Sequence, residues 1–150
     1  MNKTLTVLAA LLACAAPARA QRAHIGPHAG YDFDRNVALA GGQLSLPLSR
    51  YVELYPSLDV YFVNTGSLLG FNGDLKLRLQ PGRPLQLYMG GGLNALRAHA
   101  GSTTGTDTGW DLLGGIETRL GYSHPYIEGK MLQHNGSTFQ LMAGINITLF

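Results

Sequence analysis

Eleven ionisable side chains fall on alternate positions of this chain: Asp32, Glu53, Asp59, Asp74, Lys76, Arg78, Asp111, Glu117, Arg119, Glu128 and Lys130. Seven are acids and four are bases, and they share their runs with an opposite, apolar set of positions. Charges gathered on one face either line a path for ions or neutralise one another where water is scarce. In a narrow interior the second use prevails, so the acids are expected to pair with Lys76, Arg78, Arg119 and Lys130 as a structural network. His24 and His28 share a face with Asp32, a set of metal-ligand types, but imidazole spacing alone is weak evidence and polar filling is the simpler use. His134 and Ser137 have the residue types of a hydrolytic pair. A spacing of three puts them on opposite faces of a strand, and no orienting acid is evident. Neither catalysis, nor a metal, nor another cofactor is therefore expected.

The elements that hold these residues have a period of two. In 69–80, Leu69, Phe71, Gly73, Leu75, Leu77 and Leu79 alternate with Gly70, Asn72, Asp74, Lys76, Arg78 and Gln80, the pattern of a β-strand with one apolar and one charged face. Eleven such residues, tilted by about 40°, cover roughly 25 Å, the height of the apolar band of a membrane barrel. The same reading gives eight strands, over 23–33, 37–48, 52–62, 69–80, 85–94, 110–120, 125–131 and 139–149. Pro27 cannot donate to a ladder, so a bulge or break is expected there. In 37–48, Val37 and Leu39 hold one phase while Leu44, Leu46 and Leu48 hold the other, which predicts a glycine bulge at Gly41–Gly42 or a slipped register. The segment 97–108, rich in Gly, Ser and Thr, reads as the longest loop and a solvated connector. GGG at 90–92 lies inside a strand, so it is not a phosphate-binding loop.

Residues 1–20 read as a secretory signal peptide, with Lys3, an apolar run over 5–16 and Ala18-Arg19-Ala20 as the cleavage site, leaving 21–150 as one barrel domain. Leu11-Leu12-Ala13-Cys14 competes as a lipoprotein acylation site, which intact mass would reveal. Without Lys3 and Arg19, nine bases balance nine acids, so the chain carries no basic excess for nucleic acid. Charged residues make up 13% of the sequence and glycines number 20, a composition suited to a surface that does not face water.

Alternation alone also fits a secreted, lipocalin-like binding barrel with an apolar interior. The charges decide for the other orientation, because basic groups facing mid-membrane lipid cost about 2–4 kcal/mol each and so must point inward. Tyr31, Phe33, Tyr51, Phe62, Trp110, Tyr122 and Phe139 fall near strand ends, where interfacial girdles lie. The expected fold is all-β, an eight-stranded antiparallel up-and-down transmembrane β-barrel. Short turns at 49–51, 81–84 and 121–124 would be periplasmic, and the loops at 34–36, 63–68, 97–108 and 133–138 would face outward.

On its signal peptide, the strands LYMGGGLNAL, WDLLGGIETRLG and PYIEGKM, and the closing FQLMAGINITLF, the chain resembles the small eight-stranded outer-membrane β-barrels, such as the transmembrane domain of outer membrane protein A and outer membrane protein X. The resemblance implies a bacterial outer-membrane location, insertion by the barrel assembly machinery, lipid as the surrounding partner, a monomer, and a structural or surface-interaction role. It departs at the end, where Phe150 falls on the polar phase beside Leu149. His134 and Ser137 are similar in type to the pair of outer-membrane lipid A deacylases, which place the two residues two apart on one strand face. A deacylase-like enzyme is thus the alternative, with the spacing against it.

Overall fold

Alternation of leucine-rich and polar positions is satisfied by closing the sheet on itself, which leaves no edge strand unpaired. The computed structural model describes residues 22–149, so the expected signal segment, Cys14 and Phe150 lie outside the described residues. The strands are β1 (His24–Asp32), β2 (Val37–Pro47), β3 (Val52–Tyr61), β4 (Ser67–Arg78), β5 (Leu85–Ala100), β6 (Thr103–Thr118), β7 (Ser123–Gln133) and β8 (Ser137–Thr148). Each pairs antiparallel with its neighbours in sequence, and β8 pairs with β1 to close the barrel. The apolar rows point outward, with Ile25, Leu75, Leu87, Leu112, Ile127 and Leu141 all exposed, while the charged rows are buried inside. Tyr31, Phe33 and Phe139 pack edge-on and stacked at one end of the wall, and Tyr51 and Tyr122 stand exposed at the other.

The interruption expected at Pro27 is present. The β1–β8 ladder skips Gly26 and Pro27 and resumes at His28 opposite Gly144 with its offset unchanged, so the break is a gap and not a bulge. The phase switch in β2 is a correction. Neither a bulge nor a slip occurs, since β2 keeps one register against β1, from Asp32–Val37 to His24–Ser45, and one against β3. Leu39 therefore points inward and is 1% exposed. It joins Tyr61, Leu96 and Met142, with Val37, Val63 and Leu68 against them, in an apolar patch of the lumen. The interior changes character with height, and the sequence of β2 follows it.

The segment 97–108 is the second correction. It is no loop, because Arg97–Thr106, Ala98–Gly105, His99–Thr104 and Ala100–Thr103 pair as a continuation of β5 and β6 beyond the barrel wall. Gly101, at φ 63, takes the first central position of the two-residue turn, where a type II′ hairpin needs a residue free of Cβ strain. β4 follows this arm up to Ser67 opposite His99, and β7 stops at Gln133 opposite Trp110. The arm is thus supported on one side only.

Inward glycines set the width of the lumen. A Cβ on Gly90 would run into the backbone carbonyl of Leu75, and one on Gly115 into the Tyr88 phenol. Backbone cannot yield as a side chain can, so Gly90→Ala is expected to lower stability by about 1–3 kcal/mol, read as a lower urea midpoint. The same change at outward Gly73, where a Cβ would meet nothing, is expected to leave the midpoint in place.

Candidate functional site

The inward rows build the lumen in tiers. Nearest the tight turns, Arg78 on β4 grips Glu53 of β3 with Nε at 2.8 Å and Nη2 at 2.9 Å, and reaches Glu117 of β6 at 3.3 Å. A planar guanidinium suits this two-carboxylate task, since its donors spread in a fixed fork. Glu53 also accepts from Tyr55 Oη at 2.7 Å and Ser45 Oγ at 3.0 Å, and Glu117 from Asn146 Nδ2 at 3.0 Å. Gln86 accepts the remaining Arg78 donor at 2.6 Å.

In the middle tier two lysines reach across the barrel between β4 and β7. Lys76 Nζ lies 2.5 Å from Glu128, and Lys130 Nζ lies 2.5 Å from Asp74. Tyr55, Tyr88 and Tyr126 surround the Lys76 ammonium, with ring centroids at 4.1, 5.1 and 5.5 Å, close enough for cation–π attraction. Asp111 accepts from Asn94 Nδ2 at 2.9 Å. Toward the other end His28 Nε2 meets Asp59 at 2.5 Å, and Asn72 donates to Asp59 at 2.7 Å. Gln140 donates to Asp32 at 3.0 Å and to Tyr61 Oη at 2.9 Å, and Arg35 closes Asp32 off at 2.7 Å.

Ten of the eleven expected lumen residues thus sit buried on inward rows; eight of them share ion pairs with lysine or arginine, while Asp59 is held by His28 and Asn72 and Asp111 by an amide. Arg119 departs from the expected pairing. It lies one residue past β6, and its Nε is buried without a hydrogen-bond partner among the described residues. Burial, with the Arg78 cation nearby, lowers its pKa from the usual guanidinium value.

His24, His28 and Asp32 are not brought together: His28 is engaged by Asp59, Asp32 by Arg35, and the His24 ring lies against His124 at 4.8 Å. Ser137 Oγ accepts from Gln133 at 2.7 Å, and both ring nitrogens of His134 lack hydrogen-bond partners among the described residues, so His134 and Ser137 do not form a dyad. Burial lowers the His134 pKa although Asp107 opposes it. Sequence reasoning missed the tyrosine cage around Lys76. Its signal was present, in tyrosines at inward positions of β3, β5 and β7 with glycine opposite Tyr88 and Tyr126, namely Gly115 and Gly144.

No family model and no curated protein matches this chain. Solved structures do. The N-terminal β-barrel domain of Pseudomonas aeruginosa OprF superposes with a TM-score of 0.74 at 16% identity, covering 85% of this chain and 96% of that one. Neisserial surface protein A gives 0.68 at 10% identity, over 85% of this chain and 97% of that one. Ail, the attachment invasion locus protein of Yersinia pestis, gives 0.64 at 10% identity, over 85% and 98%. The wall, the closure and these superpositions agree that the chain has the fold of the small eight-stranded outer-membrane β-barrels.

Proposed function

We propose that this chain is a bacterial outer-membrane barrel with a structural or surface-contact role and no chemistry of its own. The supporting observation is the inverted distribution of polarity. Large apolar side chains such as Leu58, Leu87, Met89 and Ile127 are exposed around the wall, while Glu53, Asp74, Lys76, Glu128 and Lys130 are at most 4% exposed inside. A lipocalin-like barrel in water needs the reverse. Lipid covers the apolar rows, the barrel assembly machinery inserts the chain, and the barrel works as a monomer. The paired charges and the tyrosine cage plug the lumen, because charges in so narrow a space neutralise each other and fill it. The β5–β6 arm, exposed from Arg97 to Thr106, is the part best placed to touch another surface, the kind of task named in surface protein A and in the attachment protein Ail.

Membrane fractionation tests this reading. The protein is expected in the outer-membrane fraction, soluble only with detergent, and faster on gels before boiling than after. Planar-bilayer recordings are expected to show no large, stable conductance. Free solubility in the periplasm would overturn the location, and sustained open channels would overturn the plug.

A further inference from the structure

At the tight-turn end the lumen widens into a vestibule of about 600 Å³, lined by Arg22, Arg50, Arg119, His24 and His124, with Glu53 at its floor. Charge is distributed unevenly along the barrel. Arg22, Arg50, Arg78, Arg83 and Arg119 gather at this end against Glu53 and Glu117. The rest of the described chain holds Arg35, Lys76, Arg97 and Lys130 against seven acids, so the two parts carry a surplus of three positive and three negative charges. Such an axial field draws anions to this mouth and keeps them from the other.

The two glutamates are held by partners other than Arg22 and Arg119. Glu53 is already served by Arg78, Tyr55 and Ser45, and Glu117 by Arg78 and Asn146, with His124 Nδ1 3.6 Å away. Among the described residues, Arg119 Nε, His24 Nδ1 and His124 Nδ1 are buried without hydrogen-bond partners, as is Glu117 Oε1, and His24 is 7% exposed. Buried polar groups in native proteins have partners, so unpartnered nitrogens on three residues that line one basic cavity point to a missing ligand. They come from different elements, His24 from β1 and Arg119 from the segment after β6, with Arg22 on the rim ahead of β1. Cationic groups on two sides of the mouth, Arg22 ahead of β1 and Arg119 after β6, suit a phosphate, whose oxygens accept from several directions at once.

We propose that the vestibule binds a phosphate group, held by Arg119 and His24 within and by Arg22 at the rim. The phosphate is supplied by a phospholipid headgroup or by a soluble phosphate ester, the chemistry being the same. The site stands on its own geometry and does not depend on what the outer face of the barrel contacts.

The test uses the folded protein in an uncharged detergent, titrated with inorganic phosphate and with glycerol 3-phosphate while the Arg side-chain Nε–H and His ring signals are followed by NMR. The expected result is a saturable shift of Arg119 and His24, with Arg35 and Arg97 unmoved, and binding at least tenfold weaker in Arg119→Gln. Arg22→Gln, changed outside any strand, is expected to weaken binding about threefold by removing one exposed phosphate contact. Heat-dependent gel mobility verifies that each variant is folded. In nanodiscs containing phosphatidylglycerol, an Arg119 shift already present without added phosphate identifies the headgroup, and one appearing only on titration identifies the soluble ester. Signals of Arg119 and His24 that stay put in both settings, or a His24 shift that persists undiminished in a folded Arg119→Gln protein, would overturn the proposal.

Discussion

Lys76→Met is expected to destabilise the barrel by about 3–5 kcal/mol, the usual cost of removing one partner from a buried ion pair. Lys76 is 4% exposed and Glu128 is 2% exposed, and the ammonium sits 2.5 Å from the carboxylate inside a ring of three tyrosines. Without the lysine, Glu128 keeps its charge at a buried position or takes up a proton, and either course lowers stability. Glu128→Gln is expected to lower it by a similar amount, because it orphans the ammonium instead. The double variant Lys76→Met, Glu128→Leu is the informative comparison. Replacing both partners with apolar groups of similar volume is commonly neutral or stabilising, so it should recover most of the loss of either single change. Urea midpoints followed by heat-dependent gel mobility and by the fluorescence of Trp110, the one tryptophan of the chain, supply the cycle. A single variant within about 0.5 kcal/mol of the parent would mean that water screens the pair as it screens surface pairs, and the plugged lumen would be lost with it.

What could be read ahead of the structure follows from the range of each signal. Period two is local, so the eight strands and the two faces of β4 were legible in the chain itself, down to which side Lys76 and Arg78 occupy. Who meets whom inside is not local. Lys76 and Glu128 lie 52 residues apart on strands that are not neighbours in the sheet, and only the closure of the barrel brings them together. The phase change in β2 needs no bulge because the lumen is not polar at every height: Leu39 faces an apolar patch supplied by β3, β5 and β8. The 97–108 segment misled because Gly, Ser and Thr mark loops by composition, while its ladder depends on register inherited from β4 and β5. Arg119 lies past the end of its strand, where the carboxylates that would pair with it are already held by Arg78.

Leu75→Arg is expected to lower stability in lipid by about 2–4 kcal/mol, with the cost falling toward about 0–1 for the same change at Leu48 or Leu120 near the rim. All three leucines are exposed, at 49, 51 and 63%, so burial within the protein does not distinguish them. Depth does. Leu75 lies opposite Leu54 and Gly91 on the apolar row of β4, whereas Leu48 and Leu120 lie outside the strands beside the tight turns. An arginine at the rim can extend its guanidinium into headgroups and water, but one in the middle of the wall must thin the bilayer or carry a cation into hydrocarbon. A surface that met water would charge nothing extra for depth, and arginine would be tolerated equally at all three positions. Unfolding in phospholipid vesicles, compared across the three variants, therefore reads the solvent of the outer wall directly. A flat series would mean that water and not lipid meets the leucine rows, an arrangement of exposed leucines around a charged core that the hydrophobic effect does not sustain.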